Sequence, residues 1–80
     1  MTKDAITLTV LAARLEKILH CDVGMNGLNI LLHGWIRKGG ISRDTLRQRK
    51  KRSQVEYLTI WEARAFSKYA GYDLTQEPKP

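Results

Sequence analysis

Residues 38–53, KGGISRDTLRQRKKRS, decide how this chain is read. Two glycines, an isoleucine and a serine run directly into a block of cations. Ser42 is the kind of residue that starts a helix, because its hydroxyl accepts a hydrogen bond from a free first-turn N–H. Asp44 suits the positive end of a helix dipole, and the cations toward Arg52 suit the other end. The apolar content of this helix is Leu46, with Ile41 just ahead of it. Such a helix cannot stand alone in water. It must rest on its neighbours through those two side chains and leave most of its surface to face something else.

The charge is as local as the motif. The chain of 80 residues carries a formal +6. The window 37–52 holds eight cations (Arg37, Lys38, Arg43, Arg47, Arg49, Lys50, Lys51, Arg52) against one acid, Asp44, a net of +7. The remainder therefore sums to −1. A cationic block of this kind is the footprint of a polyanion-binding surface, although a basic run is also compatible with a solvated face.

Working outward, the length predicts one domain, residues 1–74, with 75–80 as a flexible tail. Apolar residues make up 42% of the chain, enough for one modest core. The single cysteine, Cys21, cannot form an internal disulfide, which points to a reducing, cytoplasmic compartment. The apolar patch at 6–13 lacks a long hydrophobic region and a cleavage site, so neither a signal peptide nor a membrane helix is expected.

The fold class expected is all-α, with four helices and room for a fifth. Leu8, Leu11, Ala12, Leu15, Ile18 and Leu19 form one helical stripe. Asp4 or Thr7 would cap it, and it should stop near residues 20–22. Alternation in ITLTV also suits a short strand, but the longer helical period is preferred. Leu28, Leu31, Leu32, Trp35 and Ile36 repeat the helical spacing, with Asn26 as N-cap and Gly39 or Gly40 as the positive-φ residue at the end. Gly34 inside that helix suggests a close crossing. SQVEYL, residues 53–58, reads as an extended connector. Thr59 and Glu62 make a capping box. Behind it Ile60, Ala63, Phe66 and Ala70 share a face, widened by Trp61, Ala65 and Tyr69, until Gly71 ends the helix. Tyr72 and Leu74 are expected to fold back on the core.

The segment WIRKGGISRDTLRQRKKR resembles the helix-turn-helix of phage repressor and Cro-like DNA-binding proteins. That motif bends at a glycine, follows with a branched apolar residue and a polar cap, and buries an apolar residue four positions after the cap. Gly40, Ile41, Ser42 and Leu46 stand in those places. Ile36 stands where the family usually has alanine. The stretch LTIWEARAFSKYAGYDL is similar to the last core helix of that group. The resemblance covers residues 32–74 and implies a double-stranded DNA partner, a transcription-regulating role and nucleoid association.

The residue chemistry supports the same expectation independently. Arginine forks onto guanine O6 and N7, and glutamine does the same for adenine. Arg43, Thr45, Arg47 and Gln48 are the candidates for base contact. Ser42, Arg37, Lys38, Arg49, Lys50, Lys51 and Arg52 are the candidates for the phosphate backbone, which sets position and affinity. About six neutralised phosphates would make log K fall with log salt at a slope of about −5. A helix-turn-helix of this size commonly pairs on two-fold sites, so a homodimer is expected, through the first helix or residues 69–74.

Other classes compete for the same residues. The cations would equally serve an RNA-binding protein, or an inhibitor or adaptor that docks an acidic protein. His20, Cys21, Asp22 and His33 are metal-ligand types, but their spacing matches no zinc pattern. No phosphate loop or nucleophile motif is present, and Asp44 with Glu56 is no acid–base pair. No catalysis, cofactor, metal or small-molecule substrate is expected. Trp35, Trp61 and Phe66 are read as core.

Overall fold

Two short strands each run straight into a helix, and at both junctions the last strand residue is a threonine. The computed structural model describes residues 5–77. Strand β1 (Ala5–Thr7) enters helix α1 (Leu8–Leu19), and strand β2 (Tyr57–Thr59) enters helix α4 (Ile60–Ala70). Threonine suits both duties, since its branched Cβ favours extended backbone and its hydroxyl can cap. Thr7 Oγ1 accepts from the Val10 N–H, and Thr59 Oγ1 accepts from the Glu62 N–H. The strands pair antiparallel, Ala5 opposite Thr59, Ile6 opposite Leu58 and Thr7 opposite Tyr57. Successive side chains alternate faces, so Ile6 and Leu58 point together into the core.

This two-stranded sheet corrects the all-α expectation. The chain is mostly helical, with four helices among the described residues and no fifth. The ITLTV stretch carries two signals, and each governs half of it. Alternation holds as far as Thr7, and the helical stripe takes over at Leu8. A strand of three residues is too short for periodicity alone to reveal. The extended connector supplies its partner. The Thr7 cap is as expected, while Asp4 lies outside the described residues.

Between these units run α2 (Gly24–Arg37), a turn at residues 38–42, and α3 (Arg43–Ser53). Helix α2 begins two residues before the expected Asn26 cap. Val23 flanks it without a side-chain cap, and Gly24, with φ +52, turns the chain into the helix. The Val23 carbonyl then accepts from the Gly27 N–H at 2.9 Å. At the other end the positive-φ residue is Gly39, at +85°. Gly40 matters for space instead. A Cβ there would collide with the Trp35 indole, so its absence lets the ring pack against the turn.

Leu11 and Leu15 of α1, Leu28 of α2, Leu58 of β2 and Phe66 of α4 are all fully buried. Trp35 and Phe66 meet with ring centroids 5.2 Å apart, tilted by 43°, a favourable aromatic geometry. Ile41 and Leu46 reach the same core from the turn and from α3. Past Gly71 the chain folds back as expected. Leu74 is fully buried, its N–H donating to Ser67 Oγ at 2.9 Å and its carbonyl accepting from Arg14 at 2.9 Å. Beyond it Glu77 pairs with Lys17; residues 78–80 lie outside the described part.

One expectation about α4 fails. Trp61 is 72% exposed, Ala65 is exposed, and Tyr69 sits at the edge of exposure. The buried line of α4 is Ala63, Phe66 and Ser67. Trp61 lies about 200° around the helix from Ala63, well outside the stripe of roughly 100° that an amphipathic helix buries. At Gly34 the expected close helix crossing is replaced by a side-chain contact: the Tyr69 hydroxyl of α4 occupies the place a Cβ would take.

Candidate nucleic-acid interface

Helix α3 is eleven residues long and buries Leu46 alone. Its start is well made. Ser42 has extended backbone angles, and its Oγ accepts from the Thr45 N–H at 3.1 Å. Thr45 Oγ1 lies 2.7 Å from the same oxygen. Its end is forced. Gln54 takes a left-handed conformation, φ 65, so that its N–H reaches the Lys50 carbonyl at 2.7 Å.

The second inward anchor is charged. Arg49 donates through both terminal nitrogens to the two carboxylate oxygens of Glu62, the Nη2 bond being 2.9 Å, and Nη1 also donates to the Tyr57 carbonyl at 3.0 Å. Its guanidinium lies 5.0 Å from the centroid of the Tyr57 ring. The side chains of Arg49 and Glu62 are only 17% and 25% exposed. A planar guanidinium forking a carboxylate is the strong form of an ion pair. Glu62 also accepts from the Thr59 N–H, completing the capping box of α4. One carboxylate thus fixes the start of α4 and the C-terminal half of α3 together. Burial pushes the Glu62 carboxyl up. The Arg49 and Thr59 hydrogen bonds and the charge of Arg49 outweigh that and hold it below its ordinary value. The Glu62 hydrogen bond raises Arg49 in turn.

This arrangement turns Arg49, an expected phosphate contact, inward onto Glu62 and Tyr57. The remaining cations divide by helical geometry. Arg47, Gln48 and Lys51, with Asp44, form the outermost ridge, because they lie opposite Leu46 and Arg49 on the wheel. Arg43 stands on the flank toward α2, where its Nη2 is 3.5 Å from His33 Nδ1. Arg43 and Arg47 border a small cleft with Asn29, His33 and Glu56. Thr45, Gln48 and Arg52 border a cleft of about 420 Å³ on the opposite flank, beside Tyr57. Arg47 is 3.8 Å from Asp44, but both are highly exposed, so the pair contributes little.

Three expected contacts are turned toward other elements of the fold. Arg49 is engaged inward. Lys50 turns toward α1 and lines a groove with Leu8, Met25 and Glu56. Lys38 leans over the Tyr69 ring of α4, 5.6 Å from its centroid. Arg37 stays exposed at the end of α2, and Ser42 at the start of α3. Of the expected base contacts, Arg43, Arg47 and Gln48 are exposed and Thr45 is half-buried. Sequence reasoning gave Glu62 only its capping duty. Nothing in the sequence marks its second role, since Glu56 lies nearer the cationic block and the pairing with Arg49 is a matter of tertiary placement.

Among the described residues, no helix is long and apolar enough to cross a membrane, and no three metal-ligand side chains come together. No family model, curated protein or solved structure matches the chain.

Proposed function

We propose that this protein binds double-stranded DNA in a sequence-dependent way, as a helix-turn-helix in which α3 enters the major groove. The observation that carries the reading is the contrast within α3. Leu46 and the Arg49–Glu62 fork fix its inner side, while its outer side is continuous polar and cationic surface. A recognition helix needs that combination, since a rigid support keeps the base-reading side chains in register. Arg43, Arg47 and Gln48 are assigned to bases, with Thr45 supporting the first turn. Arg37, Ser42, Lys51 and Arg52 are assigned to phosphates. With about three phosphates neutralised, each copy contributes about −3 to the salt slope, shallower than the roughly −5 expected of six. Two copies on a two-fold site would supply the rest of the affinity.

Selection from random duplexes tests the proposal. A preferred motif with two-fold symmetry is expected, with structured RNA competing poorly at matched salt. Arg43→Ala and Arg47→Ala should each relax choice at one base position, by about 1–3 kcal/mol, with the fold intact. Equal affinity for all duplexes, or affinity indifferent to salt, overturns it. Stronger binding to structured RNA assigns the ridge to RNA instead.

A further inference from the structure

The outer face of α4 combines features that the reading of α3 leaves unused. Trp61, Ala65 and Tyr69 recur at every fourth residue and so share one side of the helix. Single exposed apolar residues are ordinary; here a 72%-exposed tryptophan is continued by two more such residues along the helix. Cations frame the line. The Arg64 guanidinium lies 5.0 Å from the Trp61 ring centroid, Lys38 Nζ lies 5.6 Å from that of Tyr69, and Lys68 is exposed between them. The helix's own acid, Glu62, is held by Arg49 about 100° away from Trp61. Asp73, at the far rim, is bonded to Thr75.

We infer that this face docks an acidic segment of another protein, with a bulky apolar side chain of the partner set over Trp61 and Ala65 and flanking carboxylates meeting Arg64, Lys68 and Lys38. Charge selects this occupant. A second copy using the same face would oppose like charges at three positions, which costs affinity. A single strand of nucleic acid needs successive open ring faces to stack on. Here Arg64 sits over one ring and Lys38 over the other, while the Tyr69 hydroxyl is packed against Gly34. A guanidinium stacked on a tryptophan keeps its edge N–H groups free to fork a carboxylate. Trp and Arg together are also the side chains that dominate binding energy at protein interfaces. The inference does not depend on what α3 binds.

The two indole N–H groups make the test direct, since Trp35 is buried and Trp61 is not. The full chain, labelled with nitrogen-15, is titrated with a short synthetic helix-forming peptide of aspartate and glutamate carrying leucine and phenylalanine on one face. The Trp61 indole signal and α4 amides should shift and saturate, while the Trp35 indole stays in place. Trp61→Ala, and separately Arg64→Glu with Lys68→Glu, should weaken binding about tenfold or more, and Trp61→Ala should leave duplex DNA affinity unchanged. The idea is overturned if the peptide moves only α3 amides, or if a version with serine replacing the apolar residues binds equally well. It is equally overturned if the Trp61 signal moves with protein concentration alone, which would mean self-association, or on adding duplex DNA.

Discussion

Helices α3 and α4 are built to one length with one kind of start, yet they serve opposite ends. Each has eleven residues, a hydroxyl N-cap with extended backbone, an acid in the first turn, at least one cation in the last, and a left-handed residue closing it. Helix α4 buries Ala63, Phe66 and Ser67, whereas α3 buries only Leu46. Local helix signals therefore say where a helix begins and ends, and nothing about how much of it is anchored. In α3 the missing apolar anchors are replaced by one ion pair and the cap, which leaves the outer surface free to be cationic.

The largest expected effect comes from removing one apolar anchor from each helix. Phe66→Ala should cost about 4 kcal/mol and Leu46→Ala about 3 kcal/mol, each a transfer loss plus a cavity. Domains of this size have about 5–10 kcal/mol in hand, so both variants should remain measurable by urea unfolding at low temperature. The distribution of the loss matters more than its size. Amide exchange should show Phe66→Ala lowering protection in α1, α2 and α4 alike, because its ring meets Trp35 and the core. Leu46→Ala should open α3 first and leave the other helices closer to wild type. Equal loss everywhere in both variants would mean that α3 is as integral as α4, and the comparison would break.

Breaking the charged anchor should have an intermediate effect with a pH signature. Glu62→Gln removes the carboxylate that Arg49 forks and keeps a side chain able to accept from Thr59. Because the pair is only partly buried, solvent screening holds the cost to about 1–2 kcal/mol at neutral pH. The folded-state carboxyl is held below its ordinary value of 4.5. Its contribution is therefore fully present above that value and disappears as pH falls through the lower folded-state value. The stability gap between wild type and Glu62→Gln, measured by urea unfolding, should close in acid. A gap that persists unchanged in strong acid would mean that the carboxylate charge is not what fastens α3.

These two anchors also separate what is legible in the sequence from what is not. Ser42, Thr59 with Glu62, Gly71 and the stripe of α1 are readable because caps and periodicity are local, acting over three or four residues. Leu46 and Ile41 are readable as the only apolar residues available to hold α3. The β1–β2 pair is not, since two three-residue strands separated by about fifty positions of chain leave no periodic trace. Neither is the engagement of Arg49, because helical geometry alone does not say which of eight neighbouring cations meets a carboxylate on another element. Trp61 is misplaced for the opposite reason. Hydrophobicity is not burial, and the wheel already puts that side chain almost opposite Ala63. In the candidate site, the helix and its exposed side are legible, and the division of cations into ridge, flank and anchor comes from the fold.

The smallest expected effect concerns the two helix ends, and it separates local strain from packing. Gln54 and Gly71 both close their helices from the left-handed region, with φ of 65 and 84. An ordinary L-residue there is held against its steric preference, at about 1 kcal/mol. Gln54→Gly should relieve that strain but loosen the unfolded chain, for a net gain of about 0.5 kcal/mol. Gly71→Ala should lose about 1 kcal/mol, and the loss is conformational, because an added Cβ at Gly71 meets no atom within 4 Å. Unfolding midpoints measured side by side should therefore move in opposite directions. If Gln54→Gly instead destabilises, the side chain of Gln54 is contributing something beyond closing the helix, and α3 has a third anchor at its cationic end.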